Sequence, residues 1–339
     1  MSTEKVKTKR SVSHALFNYL VTGLVVVLAC NVAKGQYFSN QSYWKTERHE
    51  VALGVGAINF LGELGGRDAV GSDFVWDMEF SMFRPAFHLE YRYRIMRSFL
   101  IKGGLHYGII AGNDALTEEP FRKNRNIHFK SNIFEFSIKG EINIYEIQPG
   151  ARYKLLGVKN KPKGGVFYGF VGVGISFFNP KANIDGEWVK LRPLGTEGQN
   201  FEGGPDQYNT FTPVFPFGLG YRAYVSNQLS IGLELSHRIT LTDYLDDTST
   251  EYYDQNAIAL QDGPVAAYFS DPSLGYRINE EGNQVPFNTT GAGAQRGDPD
   301  DNDSYFFLMA TVTYKFTPFR QGHRGKVRVT RKRGGKVIF

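Results

Sequence analysis

One cysteine, Cys30, stands in a chain of 339 residues. A single thiol excludes an internal disulfide framework and any metal site built on several cysteines. Proline is sparse, at 14 residues, which leaves long stretches free to extend. Beyond the first 35 residues no run of about 20 apolar side chains occurs, so a helical membrane span is excluded there. HExxH, CxxC and phosphate-cradling loops are missing as well. "GFVGVG" (169–174) resembles a nucleotide fingerprint only loosely and sits inside a strand pattern, so its glycines read as strand glycines. No catalytic, cofactor-binding or metal site is expected.

The N-terminus supplies a basic start ("MSTEKVKTKR"), an apolar segment ("YLVTGLVVVLAC") and small residues at Ala33 and Gly35. This is the layout of a secretory signal peptide over residues 1–35, cleaved before Gln36. Cys30 as a lipid-carrying N-terminus and an uncleaved anchor are the alternatives. Cleavage after Gly35 leaves no cysteine in the mature chain, which then needs another source of cohesion. A closed hydrogen-bonded barrel supplies one.

Aromatic residues make up 14% of the chain and glycine contributes 38 residues, a composition suited to many strands and turns. The stretch "FHLEYRYRI" (87–95) alternates without a slip. Phe87, Leu89, Tyr91, Tyr93 and Ile95 share one face, and His88, Glu90, Arg92 and Arg94 the other. Period two is the signature of a β-strand. Seven further segments carry such patterning: 49–60, 99–110, 126–145, 166–178, 214–225, 229–239 and 304–316, with the second running from 81 to 95. The apolar phase shifts near Ser131 in the fourth, where a bulge is expected.

Eight strands of this length can close into a cylinder. Connections after the second and sixth are very short, whereas those after the first, third, fifth and seventh are long and polar, the asymmetry of an outer-membrane barrel. The basic connection after the fourth breaks the pattern and is assigned to the short-turn side. The expected fold is all-β: an eight-stranded antiparallel transmembrane β-barrel with long extracellular loops and a basic periplasmic C-terminal tail. Residues 36–48 form a periplasmic segment, 49–316 the barrel and 317–339 the tail, with both termini periplasmic. A soluble lipocalin-like barrel is the alternative fold. It would have to place the charged faces outside.

With rings in lipid, the ionic faces turn inward. His88, Glu90, Arg92, Arg94, Lys102, His106, Glu234 and Arg238 form an expected lumen ionic network, since charges in so narrow a space must pair. A small passive channel and a lipid-modifying enzyme are the rival functions for this class of barrel. Acyl transfer would need a Ser–His–carboxylate set. Ser236 and His237 are strand neighbours pointing to opposite faces, and no other grouping recurs.

Two charge features remain. Residues 241–303 hold thirteen acids against Arg277 and Arg296. The terminal "DPDDND" (298–303) is dense in oxygens but lacks the spacing of a helix-flanked calcium loop, so a solvated turn is expected. The tail carries Arg320, Arg324, Lys326, Arg328, Arg331, Lys332, Arg333 and Lys336 and no acid. A docking arm for an acidic protein or anionic lipid fits it better than a nucleic-acid site.

Several segments resemble the PorG-like outer-membrane barrels of the type IX secretion system: "NFLGELGG" (59–66), "FRPAFHLEYRYRI" (83–95), "GND…RKNRNIHFKSNIFEFS" (112–137), "RITLTDYLDDTSTEYYD" (238–254) and "RGDPDDNDSYFF" (296–307). The resemblance runs from about Leu53 to Phe316, with "GEL" standing where the family would have "GDL". It implies a non-enzymatic component of the type IX (gliding-associated) machinery. Its partners would be outer-membrane lipid and the periplasmic ring of a lipoprotein and a soluble subunit, of PorK/PorN or GldK/GldN type. Arg324, Lys326, Arg328, Arg331, Lys332, Arg333 and Lys336 would then be the partner-binding residues.

Overall fold

A computed structural model describes residues 48–62, 64, 83–117, 119–147, 164–226, 228–279 and 281–316. The signal segment, the tail and the basic connection 148–163 lie outside the described residues.

Eight long strands close on themselves. They are β1 (His49–Leu61), β2 (Arg84–Arg94), β3 (Phe99–Asn113), β4 (His128–Ile147), β5 (Gly165–Phe177), β8 (Phe211–Tyr224), β9 (Leu229–Thr240) and β12 (Ser304–Phe316). Each pairs antiparallel with its neighbours in chain order, and β1 joins β12 from His49↔Phe316 to Leu61↔Ser304. All eight segments expected from alternation are found. Two hairpins in the long connections were not foreseen: β6 (Pro180–Ile184) with β7 (Glu187–Lys190), and β10 (Tyr276–Ile278) with β11 (Gln284–Pro286). Among the described residues, three short helices join them: α1 (Pro120–Arg125), α2 (Gln255–Gln261) and α3 (Pro264–Ser270).

The side chains settle which face meets lipid. Leu53, Leu233 and Tyr91 are 60%, 60% and 44% exposed, whereas Glu90, Arg92 and Lys102 are fully buried. Apolar outside and ionic inside is the arrangement of a transmembrane barrel and the reverse of a soluble one. Glycines give the inward side chains room. A Cβ on Gly54 would stand 2.3 Å from the His88 ring, and one on Gly220 would stand 2.3 Å from Tyr168.

The expected bulge near Ser131 is absent. Pairing of β3 with β4 is continuous from Asn113↔His128 to Phe99↔Ile142, and inward positions alternate unbroken from Ile127 to Asn143. The irregularity lies lower, between Asn143 and Tyr145 against β5. The phase change in the sequence has another cause. Phe129 and Ile133 point inward, but into an apolar end of the lumen rather than its ionic middle.

That apolar end carries a cap. Ile58, Phe60, Ile110, Phe129, Tyr305 and Phe307 from the strands meet Phe178, Leu191, Tyr208, Leu245 and Phe269 from the long connections. The rings of Phe178, Tyr208 and Tyr244 stack in series, with centroid spacings of 6.2 and 4.7 Å. Phe306 faces outward yet is buried, because Phe83 packs edge-on against it at 5.7 Å.

Candidate functional site: a filled lumen under a loop cap

Strand register sets the lumen chemistry, because directly opposed residues share a face. His88↔His106, Arg92↔Lys102 and Lys102↔Lys139 are cross-strand pairs, so β2, β3 and β4 present several cations and both histidines side by side. Carboxylates from other strands must interleave them, and they do. The Lys102 ammonium donates to Glu234 at 2.7 Å and lies 3.6 Å from Glu141. Lys139 donates to Glu90 at 2.6 Å, and Arg92 donates to the same carboxylate at 2.8 Å.

A lower tier repeats the scheme. Arg222 bridges Glu50, at 2.8 Å, and Glu141, while Arg94 donates to Glu50 at 3.0 Å. Nearer the cap, Arg238 donates to Glu135 at 3.1 Å, and its guanidinium lies 4.2 Å from the centre of the Phe307 ring. The hydroxyls of Tyr168 and Tyr305 donate to Glu234 and Glu135, each at 3.1 Å. Six buried cations (Arg92, Arg94, Lys102, Lys139, Arg222, Arg238) thus face five buried carboxylates (Glu50, Glu90, Glu135, Glu141, Glu234).

All eight lumen residues expected from sequence lie in this interior. The missed members are Glu50, Glu135, Lys139, Glu141 and Arg222. Each sits at an inward position of an alternating strand. The supposed phase break in β4 concealed three of them, Arg222 was a lone charge in an apolar run, and Glu50 stood at the charged start of β1 beside Arg48 and His49. Ser236 is buried against Arg238, whereas His237 on the other face packs on Phe217 at 5.3 Å.

His88, Glu90 and His106 offer ligand atoms within 4.8 Å of one another, the one set of this kind among the described residues. The Lys139 ammonium, 2.6 Å from Glu90 and 3.1 Å from His106, already supplies positive charge there. This arrangement favours an internal cation over a metal.

Over the mouth, Arg296 ties the cap together. It donates to Glu197 at 2.8 Å and to the Asp247 carbonyl at 2.6 Å. Glu197 also accepts from the Ser249 amide and the Thr250 hydroxyl, at 2.9 and 2.7 Å. Asp247 takes a left-handed backbone (φ 69°) and accepts from Thr196 at 2.6 Å and Tyr208 at 2.5 Å. Burial pushes its carboxyl up to about 6, against the pull of Arg296 and these two donors. Burial likewise pushes Tyr244 and Tyr252 up to about 12. The Arg125 guanidinium donates to Asp114 at 2.7 Å and to the Arg296 carbonyl at 2.8 Å, joining the β3–β4 connection to the same assembly.

The acidic connection 241–303 is therefore not uniformly solvated. Asp243, Asp246, Asp247 and Asp303 are buried in the cap, whereas Glu251, Asp254, Glu281 and the turn at 298–302 are exposed. A cleft of about 750 Å³ opens between the cap loops beside Glu251, Tyr253 and Asp254. The proposed tail contacts, from Arg324 to Lys336, lie outside the described residues.

A family model described as a domain of unknown function (DUF6089) matches residues 36–180. No curated protein matches the chain. Among solved structures, the chain is similar to Neisserial surface protein A, with 7% identity, 79% of this chain and 97% of that one covered, and a TM-score of 0.35. It is also similar to the attachment invasion locus protein Ail of Yersinia pestis (9% identity, 80% and 99% covered, TM-score 0.33). A third is the outer membrane protein OprG of Pseudomonas aeruginosa (8% identity, 80% and 97% covered, TM-score 0.29).

Proposed function

We propose that this protein is a non-enzymatic outer-membrane anchor of a type IX (gliding-associated) secretion machine. Its cylinder is held in the membrane by its apolar wall and contacts a periplasmic ring of PorK/PorN or GldK/GldN type. The observation that carries the reading is the filled lumen. Ion pairs on three tiers and an apolar plug occupy the space that a pore or a reaction chamber would need. What is left for function is surface: the loops at one end, and the turns and chain ends at the other. The matched segments 83–95, 112–137 and 296–307 supply the link to secretion, and the basic tail supplies a docking arm for an acidic partner.

In this reading the capped end faces outward and both termini are periplasmic, which puts the tail within reach of the ring. Affinity purification from detergent-solubilised envelopes should recover the ring lipoprotein and its soluble partner. Deleting residues 318–339 should abolish that recovery while the barrel still folds. Unchanged co-purification would reject the tail as the docking element. Steady conductance in planar bilayers, or altered lipid acylation in a deletion strain, would favour the channel or enzyme reading instead.

A further inference from the structure

The β6–β7 hairpin extends the barrel wall beyond the apolar band, and its two faces differ. Ala182, Ile184 and Val189 turn towards the cap core. The other face places three lysines in direct register, with Lys130 of β4 opposite Lys181 and Lys181 opposite Lys190. Directly opposed residues share a face, and like charges so placed repel. Among the described residues, no ion pair joins any of the three to a carboxylate. The nearest acid along the hairpin, Glu187, pairs with Ile184 on the opposite face. This lysine row costs stability unless an anion outside the chain neutralises it.

The setting identifies the anion. Trp188 lies on the lysine face, 50% exposed, with the Lys130 ammonium 5.2 Å from its ring centre. Lys130, Asn132, Lys181 and Trp188 line a recess of about 190 Å³. One step towards the membrane, the outward rings of Tyr107, Phe134, Phe177 and Phe211 form a belt, with the first two 4.7 Å apart. Such belts mark the headgroup level of a barrel. Lys130 is four residues beyond Phe134, about 10 Å higher at ~3.3 Å per residue and a tilt of ~40°. That height is where lipid phosphates lie.

We infer that Lys130, Lys181, Lys190 and Trp188 form a clamp for the phosphate of an outer-leaflet lipid headgroup. The lysines neutralise the phosphate, and the indole packs along the adjoining sugar or acyl stem. The site rests on the membrane placement of the barrel and is independent of any role in secretion.

The test uses the full-length protein in detergent, titrated with diphosphorylated lipid A and with the same lipid stripped of phosphate, bound lipid being counted by native mass spectrometry. The wild type should prefer the phosphorylated form at least tenfold. Lys130→Gln/Lys181→Gln/Lys190→Gln should abolish the preference, and Trp188→Ala should weaken binding several-fold. Lys123→Gln, an exposed charge on α1, should bind like the wild type. Heat-dependent gel migration reports folding, and the single exposed change Lys190→Gln, expected to cut the preference at least threefold, replaces the triple variant if that one does not fold. The inference is overturned by equal affinity for both lipids, by wild-type binding in the folded lysine variants, or by full competition from millimolar inorganic phosphate.

Discussion

The lumen and the cap both bury charge, but they hold it differently. In the lumen, rigid strands set six cations and five carboxylates by register, and most groups touch more than one partner. Glu234 and Glu90 each lie within 4.0 Å of Lys102, Arg92 and Lys139. In the cap, loops converge on a single guanidinium, Arg296, beside Glu197 and Asp247. The lumen is a lattice and the cap is a knot. A lattice spreads the cost of one lost member over the whole cylinder, whereas a knot comes undone locally.

The largest effect should come from breaking the lattice. Glu234→Leu strips a carboxylate from three buried cations and should cost about 3–5 kcal/mol. Urea unfolding of the purified barrel would read this as a global shift. A fall below about 1 kcal/mol would show that the lumen charges are hydrated rather than mutually paired.

Cutting the knot should be smaller and confined. Arg296→Met leaves Glu197 buried without its cation and should loosen residues 244–250 by about 2–3 kcal/mol. Amide exchange would rise in that segment while the strands keep their protection. Exchange rising equally in β1 and β12 would mean that cap and cylinder unfold as one unit.

Next comes overpacking of the lumen wall. Gly220→Ala drives a methyl into Tyr168 and should cost about 1–3 kcal/mol, again as a global shift in unfolding.

The cap should also respond to pH. Asp247, raised from 3.8 to about 6, holds its proton more tightly when folded than when unfolded. Its contribution is complete below about pH 4 and fades as pH rises through 6, with about 1–2 kcal/mol of it lost between pH 5 and pH 8. Protease cleavage in the 244–250 segment should therefore be faster at pH 8 than at pH 5. Asp247→Asn should remove that difference, and a persisting slope would assign it to another group.

The smallest change is on the outside. Phe83→Ala uncovers Phe306 and should cost no more than about 1 kcal/mol, since lipid can replace the lost ring contact.

The cylinder was legible in the sequence because period-two alternation is a local signal and every wall strand carries it. Tyr91 and Arg92 announce their faces without reference to anything distant. The lumen was legible only where it is ionic. Phe129 and Ile133 reversed the apparent phase of β4 because an inward position near the cap is apolar, and so Glu135, Lys139 and Glu141 went unassigned. The cap was not legible at all. Arg296 meets Asp247 and Glu197 from positions 49 and 99 residues away in sequence, a distance over which no periodicity runs. Its thirteen acids carry no mark of which are buried, because the composition of a loop does not reveal which acids a single arginine will draw inward.

The seam between β1 and β12 has a consequence for biogenesis. The first wall strand zips to the last, from His49↔Phe316 to Leu61↔Ser304. Until that final strand arrives, the cylinder stays split along its length, and the carboxylates and ammonium groups inside stay open to whatever surrounds them. Insertion into hydrocarbon must therefore wait for the last segment, or proceed with a helper strand standing in at the open edge.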